Sequence, residues 1–202
     1  MKLYDHPGFP NPRRVRIFLA EKGIQVPTET IDVPAGEHQR PAYLKKNPSG
    51  LIPALETDSG EVIAESASIC RYLEEVHPQP ALMGETALQK ASIDMWHRRI
   101  ENQLFNPLGS YFHHSTDGLG DNRYRNAAWG NHNRDQALKE LKSLDLLLAQ
   151  KPFISGDQFS VADITALCAV DLGVALGLFN VEDFQYLHEW HSRVSTRPSA
   201  AA

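Results

Sequence analysis

Two hydrophobic periods divide the chain. Residues 2–5 read as a short strand around Leu3 and Tyr4, and Thr28-Glu29-Thr30-Ile31-Asp32-Val33 alternates polar and apolar with the two-residue period of a half-buried strand. Between them Val15, Ile17, Phe18 and Leu19 cover one broad face, which predicts a helix from near Arg13 to Lys22, stopped by Gly23. Phe9-Pro10-Asn11-Pro12 ahead of it is a rigid turn. A short helix over 41–46 precedes strands at 54–56 and 62–64, with Asp58-Ser59-Gly60 as their hairpin turn. From Ser66 to Val76, the apolar residues Ile69, Tyr72, Leu73 and Val76 recur at steps of three and four, giving a helix that ends at His77-Pro78.

Past Pro80 strand signals vanish and helical periodicity takes over, which marks a domain boundary: 1–79 as a βαβ, loop, ββα domain and 86–202 as an all-helical one. One long helix is predicted over 88–113, bent near Asn106-Pro107 because proline lacks an amide donor and crowds the preceding turn. Residues 117–121 read as a loop. A helix over 126–150 buries Leu138, Leu141, Leu144, Leu147 and Leu148 and leaves Lys139, Glu140 and Lys142 in solvent. Ser160-Val161-Ala162-Asp163 has the form of a capping box ahead of a buried apolar run over 164–178, and the chain is expected to fray after Arg197-Pro198.

Composition narrows the function classes. Twenty Lys and Arg against 25 Asp and Glu give a net charge of −5, with both signs interspersed, which disfavours a nucleic-acid partner. The start of the chain lacks a basic segment followed by an apolar run, and no apolar stretch approaches the roughly 20 residues that span a bilayer, so a soluble, cytoplasmic protein away from membranes is expected. Cys70 and Cys168 sit far apart in apolar helical patterns and read as buried thiols, and no metal site is expected.

Three segments carry candidate chemistry. In Asn47-Pro48-Ser49-Gly50-Leu51-Ile52-Pro53 a proline opens a strand directly after an apolar residue; a cis bond there would turn the Ile52 main chain outward to pair with an extended peptide ligand, whereas a trans proline would mark an ordinary edge strand. Glu65-Ser66 lies where a strand hands over to a helix. Ser66 can offer a hydroxyl and an N–H to a carboxylate, and Glu65 can accept from an ammonium, matching the zwitterionic end of an amino acid; the alternative is a simple helix cap. Gly8-Phe9-Pro10-Asn11-Pro12 aims the unpaired N–H groups of a helix start at whatever sits above it, which would stabilise a thiolate, or else it is rigid packing.

These elements, on a βαβ–ββα frame followed by a helical domain, resemble the cytosolic glutathione transferases over essentially the whole chain. The resemblance rests on Pro7-Gly8 with the helix downstream, on Asn47-Pro48 through Pro53-Ala54-Leu55, on Glu65-Ser66 with Ile69 and Tyr72-Leu73, and on Ser160 to Ile164. It implies a thioredoxin-like N-terminal domain followed by an all-helical C-terminal domain. It also implies a cis bond at Pro53, glutathione as co-substrate, a small hydrophobic electrophile bound facing the helical domain, a role in detoxification and a homodimer. The glutathione-binding residues it implies are Phe9, His38, Arg40, Leu51, Ile52, Pro53, Glu65 and Ser66, with His38 and Arg40 reaching the glycyl carboxylate.

The departures fall at the sulfur. Where family members place Ser, Cys or Tyr beside the thiol, this chain has Phe9, Pro10 and Asp5, while alternation turns Tyr4 into the core. Tyr4-Asp5 with Pro12 to Arg16, and Asn106-Pro107 through His114, look like an atypical fungal-type branch that lacks that activator and is thought to use the first helix N-terminus and a water held by a serine and a histidine. His113 matches the histidine; the serine position reads as Gly109, and Ser110 one residue later is rotated by about 100°. The catalytic candidates are therefore Asn11, His113 and Ser110. The expected activity is a glutathione S-transferase. Glutathione-dependent peroxide or disulfide reduction is the enzymatic alternative, and a glutathione-binding regulatory module without turnover is the non-enzymatic one.

Overall fold

A computed structural model of the chain describes residues 1–118 and 124–202, so of the loop predicted over 117–121, Leu119, Gly120 and Asp121 lie outside the described residues. The chain divides into two units, Met1–Ala81 with Ala201–Ala202, and Leu82–Ala200.

In the first unit β1 (Lys2–Asp5) is a central strand, parallel to β2 (Thr28–Thr30) and antiparallel to β3 (Ala54–Glu56), which pairs with the antiparallel β4 (Val62–Ala64). The sheet order is β2-β1-β3-β4. A parallel pair needs a crossover, and α1 (Pro10–Glu21) supplies it. Alternation along β1 sends Leu3 to one face and Tyr4 to the other; Tyr4 meets Tyr43 edge-on, with ring centroids 5.9 Å apart, in a cluster with Ile31 and Ala54. The Tyr4 hydroxyl donates to Glu56 on β3, so its place in the core holds.

Two boundaries and one buried face differ from the sequence reading. β2 stops at Thr30 instead of Val33, because Asp32 turns the chain: its N–H donates to Glu37 at 2.7 Å and its carboxylate accepts the Ala35 N–H at 2.9 Å, replacing ladder bonds. α1 starts at Pro10 rather than near Arg13, since a first turn tolerates proline. The buried face of α3 (Ser66–Val76) consists of Ser66, Ile69, Cys70, Leu73 and Glu74, so Tyr72 and Val76 fall outside it. Glu74 is accommodated there by the buried Lys22 ammonium at 2.5 Å, which also donates to the carbonyls of His77 and Pro80. A short helix, α2 (Pro41–Leu44), places Tyr43 under the sheet.

The second unit is helical. α4 (Ala87–Ile100) opens with a Thr86–Gln89 capping box and runs into a π-turn, Glu101–Phe105, before α5 (Asn106–Ser115). The predicted bend ahead of Pro107 is therefore this widened turn, closed by the Asn106 N–H on the Glu101 carbonyl. α6 (Ala127–Leu148) is capped by Asn126 and buries Leu141, Leu144 and Leu148, as its pattern required, but Leu138 and Leu147 are only half-buried. Glu140 corrects the reading of a solvated charge: it is buried and holds Arg99 through two bonds of 2.6 and 3.1 Å. α7 (Val161–Ala175) is buried along its first ten residues, and α8 (Gln185–Ser195), unread in the sequence, buries Leu187, Trp190 and Val194. Among the described residues no helix is long and apolar enough to cross a membrane.

Candidate functional site

The Ile52–Pro53 bond is cis. Side chains tie down the loop leading to it: the Leu51 carbonyl accepts from the Tyr43 hydroxyl at 2.7 Å and from the Asn47 amide at 2.8 Å, and Gln39 donates to the Gly50 carbonyl at 3.2 Å. Gly50, at φ +62°, makes the turn that this path requires. Ile52 then passes with neither its N–H nor its C=O bonded within the protein, while its side chain packs on the Tyr4 and Tyr43 cluster. A main chain held rigidly yet left unpaired is a template for an extended ligand. Leu51 is 57% exposed beside it.

Glu65 and Ser66 close the neighbouring side. Glu65 precedes α3 at φ +66°, the one non-glycine residue with positive φ among those described, a conformation that a bulky residue holds only when its surroundings impose it. Ser66, the first residue of α3, is buried and corrects the simple-cap alternative: it makes no capping bond, and its hydroxyl donates instead to Asn11 Oδ1 on α1, at 3.2 Å. The helix start still leaves N–H groups without intrahelical partners above Ser66.

At the start of α1 the expected set of unpaired N–H groups contracts to one residue. Pro10 and Pro12 have no amide hydrogen, Phe9 N–H donates to the His6 carbonyl at 3.3 Å, Gly8 N–H donates to His6 Nδ1 at 3.1 Å, and Arg13 N–H bonds back to Phe9. The Asn11 N–H is left. The Asn11 side chain is exposed, and its Oδ1 also accepts from Arg14 Nη1 at 3.2 Å. Arg14 is 4% exposed and was absent from the sequence-based candidates; its signal is a guanidinium on the same helix stripe as Ile17 and Phe18. Phe9, the residue before α1, lies against His6 with ring centroids 4.5 Å apart. Asp5 does not reach the site as a free charge, because Arg16 holds it at 2.7 Å and also binds the carbonyls of His6 and Pro7.

His38 is half-buried in a single 3-10 turn, Glu37–Gln39, and the exposed Arg40 leads into α2, its guanidinium 3.4 Å from the Ala35 carbonyl. Gln39 between them, which the sequence did not single out, is the residue fastened to the Gly50 carbonyl. In the second unit Ser110 and His113 lie half-buried on α5, with His113 edge-on to Phe112.

Residues 10–76 match the N-terminal domain, and residues 104–198 the C-terminal domain, of glutathione S-transferases. The chain belongs to the glutathione S-transferase family. Glutathione S-transferase 2 of Saccharomyces cerevisiae is 40% identical over 98% of this chain and 87% of its own. The crystal structure of Gtt2 from the same yeast, at 40% identity, superposes with a TM-score of 0.95 and covers 100% of this chain and 99% of that one. A glutathione S-transferase domain-containing protein of Marinobacter aquaeolei gives the same TM-score and identity over 98% of this chain and 99% of its own. The family's thioredoxin-like domain and helical domain are those described above, and both the family membership and the likeness to a fungal-type transferase agree with the sequence reading. This glutathione S-transferase has Phe9, Pro10 and Asn11 at the start of α1.

Proposed function

We propose that the enzyme binds glutathione on its first unit and promotes attack of the glutathione sulfur on a small hydrophobic electrophile. The cysteinyl main chain pairs with the Ile52 N–H and C=O. The γ-glutamyl carboxylate takes the start of α3 at Ser66, with Glu65 accepting from the ammonium, while His38 and Arg40 receive the glycyl carboxylate. The observation that carries this reading is the pairing of an unbonded Ile52 main chain with the strained Glu65 and the buried Ser66.

At the sulfur, the thiol gives its proton to solvent. The N–H groups of Asn11 stabilise the thiolate that remains, as helix starts do for low-pKa thiols. The thiolate's electron pair then forms the carbon–sulfur bond while the leaving group departs with the pair of the broken bond, so the protein contributes ionisation and proximity. In the second unit His113, with Ser110 beside it on α5, remains the candidate that the family resemblance implies. In the same reading the enzyme is cytosolic and a homodimer.

Purified enzyme given glutathione and a chloronitrobenzene should form the conjugate. Retention on immobilised glutathione without conjugation, and without turnover of hydroperoxides, would reduce it to a binding module; turnover of hydroperoxides or disulfides alone would make it a reductase. His113→Ala should lower turnover more than glutathione affinity, and an unchanged pH–rate profile in that variant removes His113 from the mechanism.

A further inference from the structure

We propose that Arg14 is a positioning residue for thiol activation: together with Ser66 it locks the Asn11 carboxamide so that oxygen faces the protein and the NH2 group faces the glutathione sulfur. The inference rests on the functional reading above and adds to it the group that sets the activator's orientation.

An asparagine side chain presents an oxygen and a nitrogen that differ little in shape, and its last torsion is soft, so an exposed asparagine ordinarily samples both faces. Here the chemistry of its neighbours removes that freedom. A guanidinium only donates, so the Asn11 atom 3.2 Å from Arg14 Nη1 has to be the oxygen. The Ser66 hydroxyl, arriving from α3, donates to the same atom at 3.2 Å. With two donors converging on Oδ1, the nitrogen is turned away from both, and among the described residues it has no partner within the protein. It shares that condition with the Asn11 main-chain N–H, the donor that Pro10 and Pro12 leave at the start of α1.

Arg14 contributes more than a steric stop. Its charge is buried on a helix stripe where an apolar residue would be expected, and a cation bound to an amide oxygen draws density from the amide nitrogen, which strengthens that nitrogen as a donor. Other charges near this turn are Arg13 beside it, Glu65 next to Ser66, and Asp5, which Arg16 holds. The γ-glutamyl subsite and the thiol subsite thereby meet at Ser66, whose N–H faces the first while its hydroxyl proton goes to Asn11.

The test uses the full-length enzyme, the pH profile of kcat/KM for glutathione and the affinity for S-methylglutathione, which has no thiol proton. Asn11→Asp retains an acceptor for Arg14 and Ser66 but has no side-chain N–H to give. It should move the limiting ionisation up by about one pH unit and lower kcat/KM at neutral pH about tenfold, a larger loss than that in S-methylglutathione affinity. Arg14→Met should produce the same shift, and Asn11→Ala combined with it should add little, since the two act as one unit. Should Arg14→Met fail to fold, Arg14→Lys replaces it and should show a smaller upward shift. Overlapping pH profiles for the wild type and Asn11→Asp, or losses that multiply independently in the double variant, overturn the proposal while leaving glutathione binding intact. Absence of conjugation by the unaltered enzyme overturns the functional reading and this inference together.

Discussion

Ser66 shows how one residue can serve two parts of a site. Its N–H stands at the start of α3, where a carboxylate is favoured, and its hydroxyl is the second donor to Asn11. Ser66→Ala should therefore raise the thiol ionisation slightly, because Arg14 alone then orients Asn11, while the main-chain N–H that remains for the carboxylate should keep the loss of glutathione binding to about 1 kcal/mol. Calorimetric titration across pH reads both effects; an unshifted thiol ionisation would remove the Ser66 hydroxyl from the support of Asn11. Main-chain features were legible in the sequence because they leave marks: a proline opening a strand for Ile52-Pro53, and a strand-to-helix handover for Glu65-Ser66. The Arg14–Asn11–Ser66 contact was not, since it depends on α1 and α3 meeting at residues 55 apart in sequence. The two prolines flanking Asn11 are explicit in the sequence, but their effect on the helix start depends on α1 beginning at Pro10.

At the scale of elements, the start of α7 is the most tightly specified. Asp163 is fully buried; its two oxygens accept from the Ile154 N–H and Trp190 Nε1 at 2.9 Å, and from the Ser160 N–H and hydroxyl at 3.0 Å. Burial lifts its carboxyl from 3.8 to about 6, against four donors that favour the carboxylate. Between those pH values the native state holds more protons than the unfolded chain. This group's contribution to stability therefore falls as pH rises from about 4 to about 6, by at most about 3 kcal/mol, and is level above that. Asp163→Asn sets an amide NH2 against the Ser160 N–H, so it should cost about 2–4 kcal/mol and abolish that part of the pH dependence. Denaturant titrations of both proteins over this pH range check the sign and the size.

A second element-scale prediction concerns the crossing of α5 and α6. A methyl group at Gly130 would overlap Ser115 Oγ and meet His114 Cβ and Ser115 Cβ at 3.1 Å. Gly130→Ala should destabilise by about 1–2 kcal/mol despite the better helix propensity of alanine, by displacing the Ser115 hydroxyl from the Ala127 carbonyl. A thermal shift upward would contradict this. The capping box was readable because its residues are local. By contrast, the burial of Glu140 depends on Arg99 on α4, and the apolar triplet of α8 is embedded in polar residues, so neither is legible in local sequence.

For the whole molecule, composition and the change of hydrophobic period beyond Pro80 conveyed a mixed α/β segment followed by a helical one, and the family resemblance supplied the fold. The second unit exposes Leu88 and Met95 on α4, apolar surface of the kind that the proposed homodimer would cover. Light scattering after size exclusion should give twice the chain mass. The central claim, that the Ile52 main chain, Ser66 and Asn11 hold one glutathione, is tested most directly by a crystal structure with glutathione bound. The account predicts the cysteinyl main chain paired with Ile52, the γ-glutamyl carboxylate on Ser66, and the sulfur within hydrogen-bonding reach of the Asn11 N–H groups. A glutathione seated elsewhere, or one whose sulfur points away from Asn11 toward another donor, would contradict it.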